Sequence, residues 1–170
     1  MRIRTLLVMA TTITLTTIAV AGVALGGDVS GPARVTDPRP VTAATPALAV
    51  LHAWDRRRSA AWSRADPVAL ARLYAVGSRT GARDVHDLRR WRSRGLRVVG
   101  LRQQVAALVA QTQTTGSLLL TVTDRTVGGL AVGRHRRTEL PRSDWTRHRI
   151  RLRRTHGDWV VREVVVQPAR

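Results

Sequence analysis

The 170-residue chain has no cysteine, no phenylalanine and a single tyrosine. Without cysteine there is no disulfide framework, no thiol nucleophile, no thiolate metal site and no acceptor for a lipoprotein anchor. Lysine is missing too: all 29 basic residues are arginine, set against 11 acidic ones, for a formal net charge of +18. That charge points first to nucleic acid or an anionic surface. Wholesale use of arginine beside abundant alanine and valine instead reads as GC-rich coding bias, which weakens the inference. The usual chemical signatures are also absent. Gly77-Ser78-Arg79-Thr80-Gly81 lacks the central serine of a nucleophile elbow, and the glycines of residues 128–133 lack dinucleotide-binding spacing. His135 and Glu139 are four apart but lie in a loop bounded by Pro141, so no metal and no cofactor is expected. What is present is an apolar fraction of 44%, enough to build the core of one domain.

The clearest signal lies at the start. Arg2 and Arg4 lead into residues 5–27, a run without a charge. Its length can cross a bilayer, and the leading arginines hold that end in the cytoplasm, so the rest of the chain is expected outside the cell. Two fates remain open. Ala19-Val20-Ala21 is a small-x-small cleavage site, which gives a secretory signal and a secreted protein cut near Ala21. Alternatively the segment stays as a single-pass membrane anchor. Residues 28–45 are rich in proline, threonine and glycine without apolar periodicity and read as a flexible linker. The domain is expected over residues 46–167.

Thr45-Pro46 opens the first helix, whose apolar arc carries Val50, Leu51, Trp54, Trp62 and, anomalously, Arg58. Asp66-Pro67 opens a second helix that Gly77 ends. Asp84 and Asp87 resemble an acidic capping box for a third, closed by Gly95. Residues 96–113 satisfy both helical propensity and strand alternation. After a turn at residues 114–117 comes a strand-like run in which Gly128-Gly129 mark a bulge or bend. A polar loop over 133–144 leads to a closing hairpin, residues 145–154 and 159–167. Three helices followed by an antiparallel meander make an α+β domain.

This order, with AWSRADPVALARLYA at the first helix junction, RGLRVVGL entering the sheet and GDWVVREVVV closing it, resembles the NTF2-like (SnoaL-like) superfamily over residues 46–167. The resemblance implies a cone: helices closed over a strongly curved antiparallel sheet that surrounds a pocket. It also implies an exported, membrane-tethered domain of the kind familiar in actinobacteria. Enzymes of that superfamily (isomerases, cyclases, dehydratases) use an Asp or His in the cone, but no such motif maps residue by residue onto this chain.

Along residues 147–153, alternation sets Arg147, Arg149, Arg151 and Arg153 on one face and His148, Ile150 and Leu152 on the other. An even-length turn would turn Trp159, Val161, Glu163 and Val165 inward, leaving Val160 and Val164 outside. A lone carboxylate on an apolar face must find a partner or raise its pKa. Glu163 is therefore expected to meet Arg58 inside the cone, in a pocket with Trp62 and Tyr74. The arginine row is a solvated strand side or a docking face for an anionic partner, and Val160 and Val164 allow a homodimer through the outer sheet face. The leading functional expectation is a non-enzymatic accessory or binding module of a cell-envelope complex. The alternative is a small-molecule enzyme using Glu163 or His148 as acid or base. Nucleic acid fits poorly, since the expected export and the shortage of aromatics on the arginine strand count against it.

Overall fold

A computed structural model describes residues 45–168 of the chain, with side chains from Pro46. The expected membrane segment, and the expected linker apart from Thr45, which begins the first helix, lie outside the described residues. Among those described, no helix is long and apolar enough to cross a membrane.

Three helices precede the sheet: α1 (Thr45–Arg64), α2 (Pro67–Ala71) and α3 (Arg79–Ser93). α1 buries Ala47, Leu51, Trp54, Ala61 and Trp62, a stripe at helical spacing that faces the sheet. Asp66 caps α2, its carboxylate accepting from the Val68 and Ala69 amides at 3.0 and 2.9 Å. Those amide contacts hold the Asp66 carboxyl below its ordinary pKa. α2 is shorter than its apolar pattern suggests. The chain leaves it to reach the sheet edge, where the Ala75 amide donates to the Val161 carbonyl and the Val161 amide to the Leu73 carbonyl, both at 2.9 Å. α3 starts earlier than Asp84: Ser78 is its N-cap and accepts from the Gly81 amide at 3.1 Å. Gly95, at φ +68°, ends it.

The sheet is antiparallel, with strands β1 (Arg97–Gln113), β2 (Ser117–Val132), β3 (Arg137–Glu139), β4 (Thr146–Thr155) and β5 (Asp158–Gln167). Its order is β1-β2-β4-β5, and β3, which lies within the segment expected to be a loop, pairs with the far end of β2. The ambiguous stretch after Leu96 is therefore strand. Here pairing across 13 register positions with β2 overrides the helix propensity of its alanines and glutamines. Register shifts at four places along β1 and β2, one beside Gly100 at φ +64°, bend these long strands. The sheet curls around a core made by Leu118, Leu120 and Val122 of β2, Ile150 and Leu152 of β4, Val161 of β5 and the apolar stripes of the helices.

The closing hairpin settles where Glu163 points. Its turn is two residues long, His156 and Gly157, both at positive φ. The expected register holds from Thr155↔Asp158 to Leu152↔Val161. Then a bulge inserts Arg162, and Arg151 pairs with Glu163. One extra residue reverses every later side chain of β5. Glu163 is thereby turned to the outer face, half exposed, with Arg151 3.9 Å away. Val164 turns inward instead, opposite Ile150, and its amide donates to the Thr80 hydroxyl at 3.1 Å. The expected inward Glu163 and its pairing with Arg58 are both corrected by this bulge, which spares the core a lone carboxylate. Nor do Val160 and Val164 form an exposed apolar patch, because Val164 faces in and Val160 is 7% exposed.

Candidate functional site

Arg58 sits where its helical position put it, on the buried side of α1, but its partner is Asp84. The guanidinium donates twice, Nε to one carboxylate oxygen at 2.7 Å and Nη2 to the other at 2.6 Å. This two-pronged geometry is the strong form of the interaction. Asp84 also accepts from the Tyr74 hydroxyl at 2.6 Å and the Trp62 indole at 3.2 Å. Burial alone would raise the Asp84 pKa, but Arg58, Tyr74 and Trp62 together outweigh it and hold the carboxyl below its ordinary range. Burial drives the Tyr74 hydroxyl well above its usual value, with Asp84 adding to the rise. Burial works against the charged Arg58, and Asp84 more than restores it.

The helices build this cluster through one close approach. A Cβ on Gly81 would stand 2.5 Å from Tyr74 side-chain atoms, so only glycine lets the ring lie against α3 with its hydroxyl at Asp84. Two edge-to-face contacts brace it, Trp54 with Tyr74 at 5.5 Å and Trp62 with Trp91 at 6.2 Å between ring centroids. The Trp54 indole donates to the Leu73 carbonyl at 2.9 Å. Trp62 and Tyr74, expected in the pocket, are core residues behind it. In sequence Asp84 looks like a cap. Its spacing from Arg58 carries no pattern, so only the tertiary packing of α1 on α3 reveals the pair.

A cavity of about 110 Å³ remains between α1 and the sheet. Leu51, Trp54, Ile150, Val161 and Val164 form its apolar wall, while Asp55, Arg58, Asp124 and His148 bring charge and polarity. His148 lies on the inner face of β4 as alternation requires, and its Nε2 is 3.1 Å from Asp124 Oδ1 on β2. Its Nδ1 is buried without a hydrogen-bond partner. Asp55, one position from Trp54 on α1, accepts no hydrogen bond from any described residue. Burial, joined by the nearby Asp124 charge and opposed by Arg58, raises its pKa to about 7. A wider groove of about 680 Å³ between α1 and β1 adjoins the cavity and shares Asp55, Arg58, Leu101 and Gln103 with it. Neither Asp55 nor Asp124 stands out in the sequence. Asp55 follows an apolar arc and precedes three arginines, a pattern that reads as an ordinary helix surface. Glu163, the carboxylate that does stand out, is outside.

On the outer face, Arg147, Arg151 and Arg153 are exposed. Arg149 is less so, and its Nε is buried without a partner. The row runs beside Ser117, Leu119, Thr121 and Thr123 of β2.

No family model matches the chain, and no curated protein does so either. Among solved structures it is similar to the intermembrane space region of the chloroplast protein ARC6, with a TM-score of 0.55 at 14% identity over 74% of this chain and 97% of that one. It is also similar to Aln2 from a Streptomyces species, with a TM-score of 0.49 at 13% identity over 72% and 90% of the two chains. A protein of unknown function from Mycobacterium tuberculosis gives 0.49 at 13% over 77% and 76%. At these identities the likeness is one of fold.

Proposed function

Since the chain has the NTF2-like fold, we propose that it is a binding module without turnover, an accessory domain of a cell-envelope complex held at, or released from, the outer membrane face. The observation that carries this reading is the closed end of the cone. Arg58, Asp84, Tyr74 and Trp62 fill it and satisfy one another, and the cavity beside them, adjoining the wider groove, holds about 110 Å³. Drug-sized ligands occupy about 300–1,000 Å³. The charge-free run of residues 5–27 behind Arg2 and Arg4, followed by a proline-rich linker, supports export and tethering. A similarly folded region of ARC6 lies in an intermembrane space. The test is crosslinking in intact cells with the tagged full chain and with a version lacking residues 5–27. The full chain is expected in a discrete membrane-associated complex that the shortened one fails to enter. Free protein in both cases would contradict the reading.

One observation favours a second reading as a small-molecule enzyme: Asp55, poised near neutrality, lies in one cavity with the Asp124–His148 pair. A base with that pKa suits proton abstraction beside a carbonyl. Catalysed deuterium exchange into small ketones in heavy water, abolished by Asp55→Asn, would serve this reading; exchange at the buffer rate would end it.

A further inference from the structure

We infer that the cavity between α1 and the sheet is a site for a small organic ammonium ion, a primary amine with a short apolar tail, whose charged head is met by Asp55 and Asp124. The assignment rests on which groups are already engaged. Around the cavity, Gln103 Oε1 accepts from the Thr126 hydroxyl, Ser143 Oγ accepts from the Thr126 amide, and the Thr146 hydroxyl donates to the Asp144 carbonyl. His148 is turned to Asp124 through Nε2. Asp55, and the Asp124 oxygen not facing His148, are the acceptors left over. Among the residues lining the cavity, both guanidiniums are drawn to other groups. Arg58 is bonded twice to Asp84, and the Arg125 guanidinium donates to Gln104 and stacks 4.3 Å over Trp145.

The charge balance agrees. Asp55, Asp84 and Asp124 face the guanidiniums of Arg58 and Arg125 and the imidazole of His148 across α1, α3, β2 and β4, so the ionised site carries one surplus negative charge while His148 is neutral. An anionic ligand would face two carboxylates. A metal ion is poorly served, because no group of three or more ligating side chains stands together among the described residues. An ammonium head asks only for acceptors. The tail is provided for by Leu51, Ile150 and Val164, with Trp54 as an aromatic wall. The volume of about 110 Å³ limits the ligand to a few heavy atoms unless it extends into the adjoining groove.

The test is calorimetric titration of the full chain in detergent with n-butylammonium, n-butanol and butyrate. Saturable one-to-one binding of n-butylammonium is expected, with a Kd on the order of 0.1 mM, and no binding of butyrate. Affinity should fall as pH is lowered from about 8 to about 5, because Asp55 takes up a proton through its pKa of about 7 while the amine stays charged. Asp55→Asn should weaken binding by at least about tenfold, and Asp55→Glu should retain most of it. Equal binding of butyrate, binding indifferent to pH, or no binding of any probe overturns the assignment, and the pH series does so without any variant. Because the readout is ligand binding by the isolated chain, failure here leaves the envelope reading standing, and failure to find an envelope complex leaves this site standing.

Discussion

Two aspartates on the inside of the same cone live in opposite conditions. Asp84, at the closed end, receives four donor contacts and is held below its ordinary pKa. Asp55, at the cavity, receives none and is raised to about 7. Burial pushes both upward, so partners decide the difference. A buried carboxylate with every oxygen bonded fixes the packing of its neighbours. One left without partners keeps the capacity to bind or to move a proton. The closed end is architecture, and the cavity is where the proposed ligand would bind.

The comparison breaks most severely at Asp84. Asp84→Ala leaves Arg58 charged, buried and without its carboxylate, and a loss of about 3–5 kcal/mol is expected in denaturant unfolding. The double variant Arg58→Met/Asp84→Leu should recover much of it, since the desolvation cost disappears with the charge. Acid acts on the same bond. A carboxyl whose folded pKa is depressed contributes stability above its unfolded pKa and loses it as pH falls through the folded value, so the Asp84 contribution should vanish only below about pH 4. Gly81→Ala comes next. Its methyl group would displace Tyr74 from Asp84, at an expected cost of about 1–3 kcal/mol, accompanied by a lower Tyr74 pKa in ultraviolet titration.

Asp55→Asn sharpens the comparison with the opposite sign. A carboxyl whose folded pKa is raised is favourable while protonated, and that advantage is lost as pH rises through the folded value. Wild-type stability should therefore decline between about pH 4 and about pH 7 on account of Asp55. The asparagine variant should be more stable than wild type by about 1–2 kcal/mol near pH 8, after allowing for solvent screening at the cavity, and equal to it near pH 4. Smallest of all is Glu163→Gln. Half exposed on the outer face, it should change stability by no more than about 0.5 kcal/mol. It should also add independently to Arg58→Ala, because the two residues share no contact.

Much of this architecture is legible in the residues alone. Apolar spacing locates α1, Asp66-Pro67 announces α2, and the closing hairpin, read over residues 145–154 and 159–167, lies within one residue of its strand ends. The inward side of β4, with His148, follows from alternation. What escapes has a common cause. Glu163 is displaced by a single inserted residue, Arg162, and a bulge leaves no mark in a run of valines. Asp84 imitates a cap because another aspartate stands three residues beyond it, whereas its role comes from Arg58 26 residues away. Asp55 carries no signal, because its importance lies in having no partner, which only tertiary packing can reveal.

The contrast between the two carboxylates is most directly tested by carbon-13 NMR titration of the aspartate carboxyl groups in the folded protein. The account predicts a midpoint of about 7 for Asp55 and one below the ordinary value of 3.8 for Asp84. Asp55 titrating near 3.8 would contradict it, because the cavity carboxylate would then already have found the partners it is held to lack.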